Sequence, residues 1–171
     1  MKKGKNNFET LYKELEEEAW KEISRCEALV ESQLDKFRDK LDWEELSANQ
    51  EIRWTASMLE RFADLVNWSR ISVTLDATSL SPEIIEKFLD RWDWENLSWN
   101  SDLPLAVIEK YPDRLDWSTI INRYGSCINS ICLLERFAEY IPADSLKDSR
   151  LWNELVSEKE DELKKRLCSE S

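Results

Sequence analysis

A chain of 171 residues, 42% hydrophobic and 35% charged, is long enough to bury one core and too apolar to stay disordered. Two glycines and four prolines are too few for the turns of a β-sandwich or barrel, so the composition reads as all-α. The net charge of −12 disfavours nucleic-acid binding, because the protein repels the phosphates it must neutralise.

The opening Met1-Lys2-Lys3-Gly4-Lys5-Asn6-Asn7 is basic, but an acidic amphipathic stretch follows it where a secretory signal needs an apolar one. No apolar run approaches the roughly 20 residues of a membrane span. The expectation is a cytoplasmic protein with no membrane contact. Residues 8 to about 34 read as one long capping helix, with Phe8, Leu11, Leu15, Trp20, Ile23 and Val30 as its apolar stripe. Its outer face carries Glu14, Glu16, Glu17, Glu18, Glu22 and Glu27.

From residue 30 the sequence repeats itself. Aromatics at Phe37, Phe62, Phe88, Tyr111 and Phe137 mark five copies, spaced 25, 26, 23 and 26 residues apart. Six residues after the first four lie Trp43, Trp68, Trp94 and Trp117; the fifth copy has Ala143. Three residues before each aromatic come Leu34, Leu59, Ile85, Ile108 and Leu134, followed each time by an acidic and then a basic residue. Leu46, Ile71, Leu97, Ile120 and Leu146 occupy a further shared position.

Each copy is predicted to hold two short helices. Thr55, Ser81 and Ser130 are N-cap residues for the first, and Pro82 suits the first helical position. Trp54 with Leu59, and Leu80 with Ile85, have the spacing of hydrophobic staples. Asp42, Asn67, Asp93 and Asp116 are N-caps for the second helix, and Asp42 with Glu45 forms a capping box. The aspartate caps and the tryptophan packs under the neighbouring copy, so Trp43, Trp68, Trp94 and Trp117 should be mostly buried. Trp92 aligns with Leu41, Val66 and Leu115 and reads as core, as do Trp20 and Trp152. Residues 148–167 read as a closing helix through Trp152, Leu155, Val156, Leu163 and Leu167. The expected architecture is one domain over 1–171: a right-handed helical-repeat solenoid over 30–147 between two terminal capping helices.

Asp42-Trp43-Glu44-Glu45-Leu46-Ser47 and Asp93-Trp94-Glu95-Asn96-Leu97-Ser98 share an Asp-Trp-x-x-Leu-Ser core. Asn67-Trp68-Ser69-Arg70-Ile71-Ser72 departs at its first residue, and Asp116-Trp117-Ser118-Thr119-Ile120-Ile121 at its last. Over residues 30–147 the chain resembles degenerate short helical repeats of large DNA viruses and some bacterial proteins. That resemblance implies a fold and no particular activity.

Catalytic signatures are missing. With no histidine there is no Ser-His or Cys-His pair, and no glycine-rich phosphate loop or dinucleotide fingerprint occurs. Cys26, Cys127, Cys132 and Cys168 lack the spacing of a disulfide framework; Cys127 and Cys132 alone make a poor metal site, so no metal or cofactor is expected. The aligned carboxylates Glu60, Glu86 and Glu109 read as a ladder of exposed ion pairs.

These features predict a non-catalytic binder or inhibitor of another protein, of toxin-immunity or anti-defence type. An acidic mimic of DNA is the alternative, weakened by 24 interspersed cations, and a carboxylate enzyme is a third reading. Trp99 is the candidate contact residue, since sister copies carry Ala48, Val73 and Asn122 there. Asp102 beside it is the candidate for steering a basic partner.

Overall fold

The structure, a computed structural model, describes residues 3–123 and 130–169, with side chains described for 8–123 and 131–169. Cys127 and the Ser130 side chain lie outside the described residues. Among those described there is no strand, and twelve α-helices and one 3₁₀ turn follow one another. No described helix is long and apolar enough to cross a membrane. The chain divides into two compact units, Met1–Leu75 and Asp76–Ser171.

The first unit holds α1 (Lys3–Cys26), α2 (Glu31–Lys36), α3 (Trp43–Ala48), α4 (Ala56–Phe62) and α5 (Trp68–Thr74). The single helix expected over residues 8–34 is therefore two. Glu27–Val30 leave the helix because Asn49 Nδ2 takes the Ser24 and Glu27 carbonyls, both at 2.9 Å. Val30 is extended (φ −93°, ψ 160°) and opens α2, with its N–H donating to Gln33 Oε1 at 2.9 Å.

The second unit holds α6 (Pro82–Lys87), α7 (Trp94–Trp99), α8 (Leu105–Lys110), the 3₁₀ turn Pro112–Arg114 and α9 (Trp117–Ile120). After them come α10 (Ser130–Phe137), α11 (Ala143–Leu146) and α12 (Arg150–Ser169). Each of the five sequence copies thus contains two helices. They run four to eight residues, too short to persist in isolation, where about 12–15 are needed. Packing must hold them.

That packing pairs like with like: α1 with α3 and α3 with α5 in the first unit, α6 with α8 and α7 with α9 in the second. Leu34, Leu46, Leu59, Ile71, Ile85, Leu97 and Ile108 are completely buried. Each contributes roughly 1.5–3 kcal/mol relative to exposure. Trp92 is buried, as are the aligned Leu41, Val66 and Leu115 each in its own copy, and the Trp92 indole donates to the Ile85 carbonyl at 3.1 Å. Trp54, Leu80 and their staple partners are buried too. Trp20 and Trp152 are half-buried.

Asp42, Asn67, Asp93 and Asp116 cap the second helices, each accepting from a backbone N–H two or three residues on. Thr55 and Ser81 cap α4 and α6 in the same way. The reciprocal half of a capping box at Asp42 does not form. Asp42 N–H donates to Ser24 Oγ at 2.9 Å, and Glu45 lies 3.8 Å from Lys21 Nζ instead.

The repeated tryptophans are less buried than expected. Trp117 is 5% exposed, but Trp43, Trp68 and Trp94 are half-buried. In all four the indole N–H donates to a carbonyl five residues back, Arg38, Ala63, Leu89 or Pro112, at 2.8–3.4 Å. Trp117 has a second aromatic against it, Tyr140 at 5.7 Å, in addition to its partner in the next copy. The ring face meets the aromatic of the next copy: Trp43 with Phe62 at 5.0 Å, Trp94 with Tyr111 at 5.5 Å, and Trp117 with Phe137 at 4.9 Å. Trp20 meets Phe37 at 5.1 Å in the same manner, so the end of α1 serves as a second helix of a preceding copy.

Candidate functional site

Trp99 closes α7, and its two backbone neighbours are held from the following copy. Ser98 is completely buried and Asn100 is 3% exposed. The Arg123 guanidinium donates to both their carbonyls, at 3.2 Å and 2.6 Å. Asn100 leaves the helix in extended geometry (φ −68°, ψ 112°). Its Oδ1 then accepts the Asp102 N–H at 2.9 Å, which fixes the turn. The indole therefore projects from an immobilised piece of backbone.

Trp99 is 56% exposed, whereas the other eight tryptophans, all within the described residues, are buried or half-buried. The equivalent Val73 and Asn122 are exposed and Ala48 is half-buried, so this repeat position faces outward. Asp102, three residues on, is exposed as well.

The arginine clamp belongs to a pattern that the sequence did not disclose. Six residues after each repeat tryptophan stand Asn49, Thr74, Asn100 and Arg123. Asn49 donates to the Ser24 carbonyl, Thr74 to Ser47 at 3.0 Å, and Arg123 to Ser98. The serine side chains carry a second bond set. Ser24, Ser47 and Ser98 Oγ each donate to the carbonyl one turn back, and accept the N–H of Asp42, Asn67 and Asp116. The only clue was the recurring serine itself, since its partners lie about 20 residues away.

A cleft lined by Val30, Glu31, Arg53, Thr55, Ser57 and Met58 opens beside the start of α2. Its Glu31 accepts from Ser57 Oγ at 3.1 Å and lies 3.5 Å from Arg61, while Thr55 Oγ1 caps Met58. The expected charge ladder takes a specific form: a cation of one copy reaches the acid of the copy before. Arg61 meets Asp35 at 2.7 Å, Lys110 meets Glu86 at 2.7 Å, and Arg136 meets Glu109.

Several carboxyls sit below their ordinary range for the same sort of reason. The Lys40 ammonium, with the Trp20 indole, lowers Glu16, and the Asn67 amide and then Arg70 lower Glu44. The Thr78 hydroxyl, with backbone N–H groups of Thr78 and Ser79, lowers Asp76. Among the described residues no three cysteines or carboxylates gather as a metal site. Cys132 is half-buried on α10, and Cys26 and Cys168 are exposed. Comparison with family models, curated proteins and solved structures gave no match to this chain.

Proposed function

We propose that this protein is a non-catalytic binding module, a stoichiometric binder or inhibitor of another protein inside the cell. In this reading successive two-helix copies stack as a solenoid, and Trp99 is the contact anchor. The observation that carries it is the exposure of Trp99 on backbone clamped by Arg123. An exposed tryptophan supplies large apolar area, and a fixed backbone removes part of the ordering cost of binding. Asp102 steers a basic partner surface. The ladder of interleaved cations weighs against a mimic of DNA, which needs carboxylates free of such partners.

The test is affinity capture with the wild-type chain and with Trp99→Ala, followed by calorimetric titration of the captured protein. Trp99→Ala should weaken binding by about 2 kcal/mol or more, the level that defines a hot spot. Its melting should stay within about 0.5 kcal/mol of wild type, as for other surface changes. A partner held equally by both forms removes Trp99 from the site. Steep loss of affinity with added salt would favour charge mimicry.

A further inference from the structure

The two terminal helices are far longer than anything they pack on. By the 1.5 Å rise per residue, α1 runs about 36 Å and its neighbour α3 about 9 Å. Among the described side chains of α1, only those at its end near Trp20, Ile23 and Ser24 are covered. Before it, Phe8, Leu11, Tyr12 and Leu15 are 56–69% exposed on one helical face. The same holds for α12, where Leu151 is buried but Val156, Leu163 and Leu167 are 45–72% exposed. Each of these two helices thus presents an apolar stripe, which marks an interaction surface.

The two stripes match. Phe8 and Leu15 are seven residues apart, as are Val156 and Leu163. Leu15 is followed by Glu16-Glu17-Glu18, and Leu163 by Lys164-Lys165-Arg166. With Leu15 level with Leu163 in parallel helices, Glu16 and Glu18 flank one stripe and Lys164 and Arg166 flank the other. Each glutamate then faces a cation across the seam. Parallel self-pairing of α1 opposes Glu16 with Glu18 instead.

We infer that the Phe8–Leu15 face of α1 docks on the Val156–Leu167 face of α12 from a second copy of the chain. The contact is heterologous, so association continues from copy to copy unless a ring closes. The local pairs already present, Glu16 with Lys40 and Lys164 with Glu160, are exposed and exchange at little cost.

Sedimentation of the full chain over a wide concentration range tests this. Wild type should grow in mass with concentration. Leu15→Gln and Leu163→Gln should each weaken association by about tenfold or more, as loss of a central apolar contact does, with helical content unchanged. Glu16→Lys/Glu18→Lys should be monomeric alone, and so should Lys164→Glu/Arg166→Glu, while their mixture regains wild-type association. A wild-type chain that stays monomeric throughout overturns the inference. So does unchanged association in Lys164→Glu/Arg166→Glu, or a mixture that fails to recover.

Discussion

Ser47 joins two copies through one oxygen atom. Its hydroxyl donates to the Trp43 carbonyl at 2.6 Å and accepts the Asn67 N–H at 2.8 Å. The site is completely buried, so removing the oxygen leaves a backbone donor with no water to turn to. Ser47→Ala should cost about 1–3 kcal/mol, the penalty for orphaning a buried polar group. Urea unfolding reads this directly, and a midpoint equal to wild type would show that the bond is not stabilising. The tryptophans should rank by burial. Trp117→Ala should cost about 3–5 kcal/mol and the half-buried Trp43→Ala measurably less. Equal losses at both sites would contradict that ranking. The aspartate caps were legible because capping is local, two or three residues from donor to acceptor. The serine hydroxyl was not, because its acceptor role spans a whole copy.

Helix boundaries follow the same division between local and distant causes. Pro82 announces the start of α6 from within its own segment. The break at Glu27–Val30 contains neither glycine nor proline, so nothing in that segment marks it. It is imposed by the Asn49 amide, reaching back from the next copy. The available signal was Trp20-Lys21-Glu22-Ile23-Ser24, which matches the spacing of Trp43 to Ser47 inside an apparently plain helix. Phe8, Leu11 and Leu15 misled for a different reason. Helical periodicity shows that a face is apolar, but it does not say how far the neighbouring helix extends. Amide exchange should therefore divide α1. The turns before Trp20 should exchange rapidly when the chain is monomeric, and Ile23–Cys26 should be protected nearly to the global limit. Uniform protection along α1 in monomeric protein would mean its first half is covered within the chain.

Across the whole molecule, acid should be destabilising. Glu16, Glu44 and Asp76 all have folded values depressed below their ordinary ones, near 4.5 for the glutamates and 3.8 for the aspartate. A depressed carboxyl stabilises fully above its unfolded value, and that contribution disappears as pH falls through the folded one. The melting temperature should hold level down to about pH 5 and then decline through the range where carboxylates titrate. Glu44→Gln should flatten part of that decline; an identical acid limb would exclude Glu44 from it.

The fold proposed here rests on coupling between adjacent copies, and double-mutant cycles measure that coupling most directly. Trp43 with Phe62, and Trp117 with Phe137, touch at ring distances of 5.0 Å and 4.9 Å. Each pair, truncated singly and together, should show an interaction energy of about 0.5–1.5 kcal/mol, the usual worth of an aromatic pair beyond its buried area. Trp94 with Phe137, two copies apart in sequence, should be additive within about 0.5 kcal/mol. Strong coupling in the touching pairs and additivity in the distant one is the result expected of nearest-neighbour stacking. Additivity in the touching pairs, or equal coupling in all three, would contradict it.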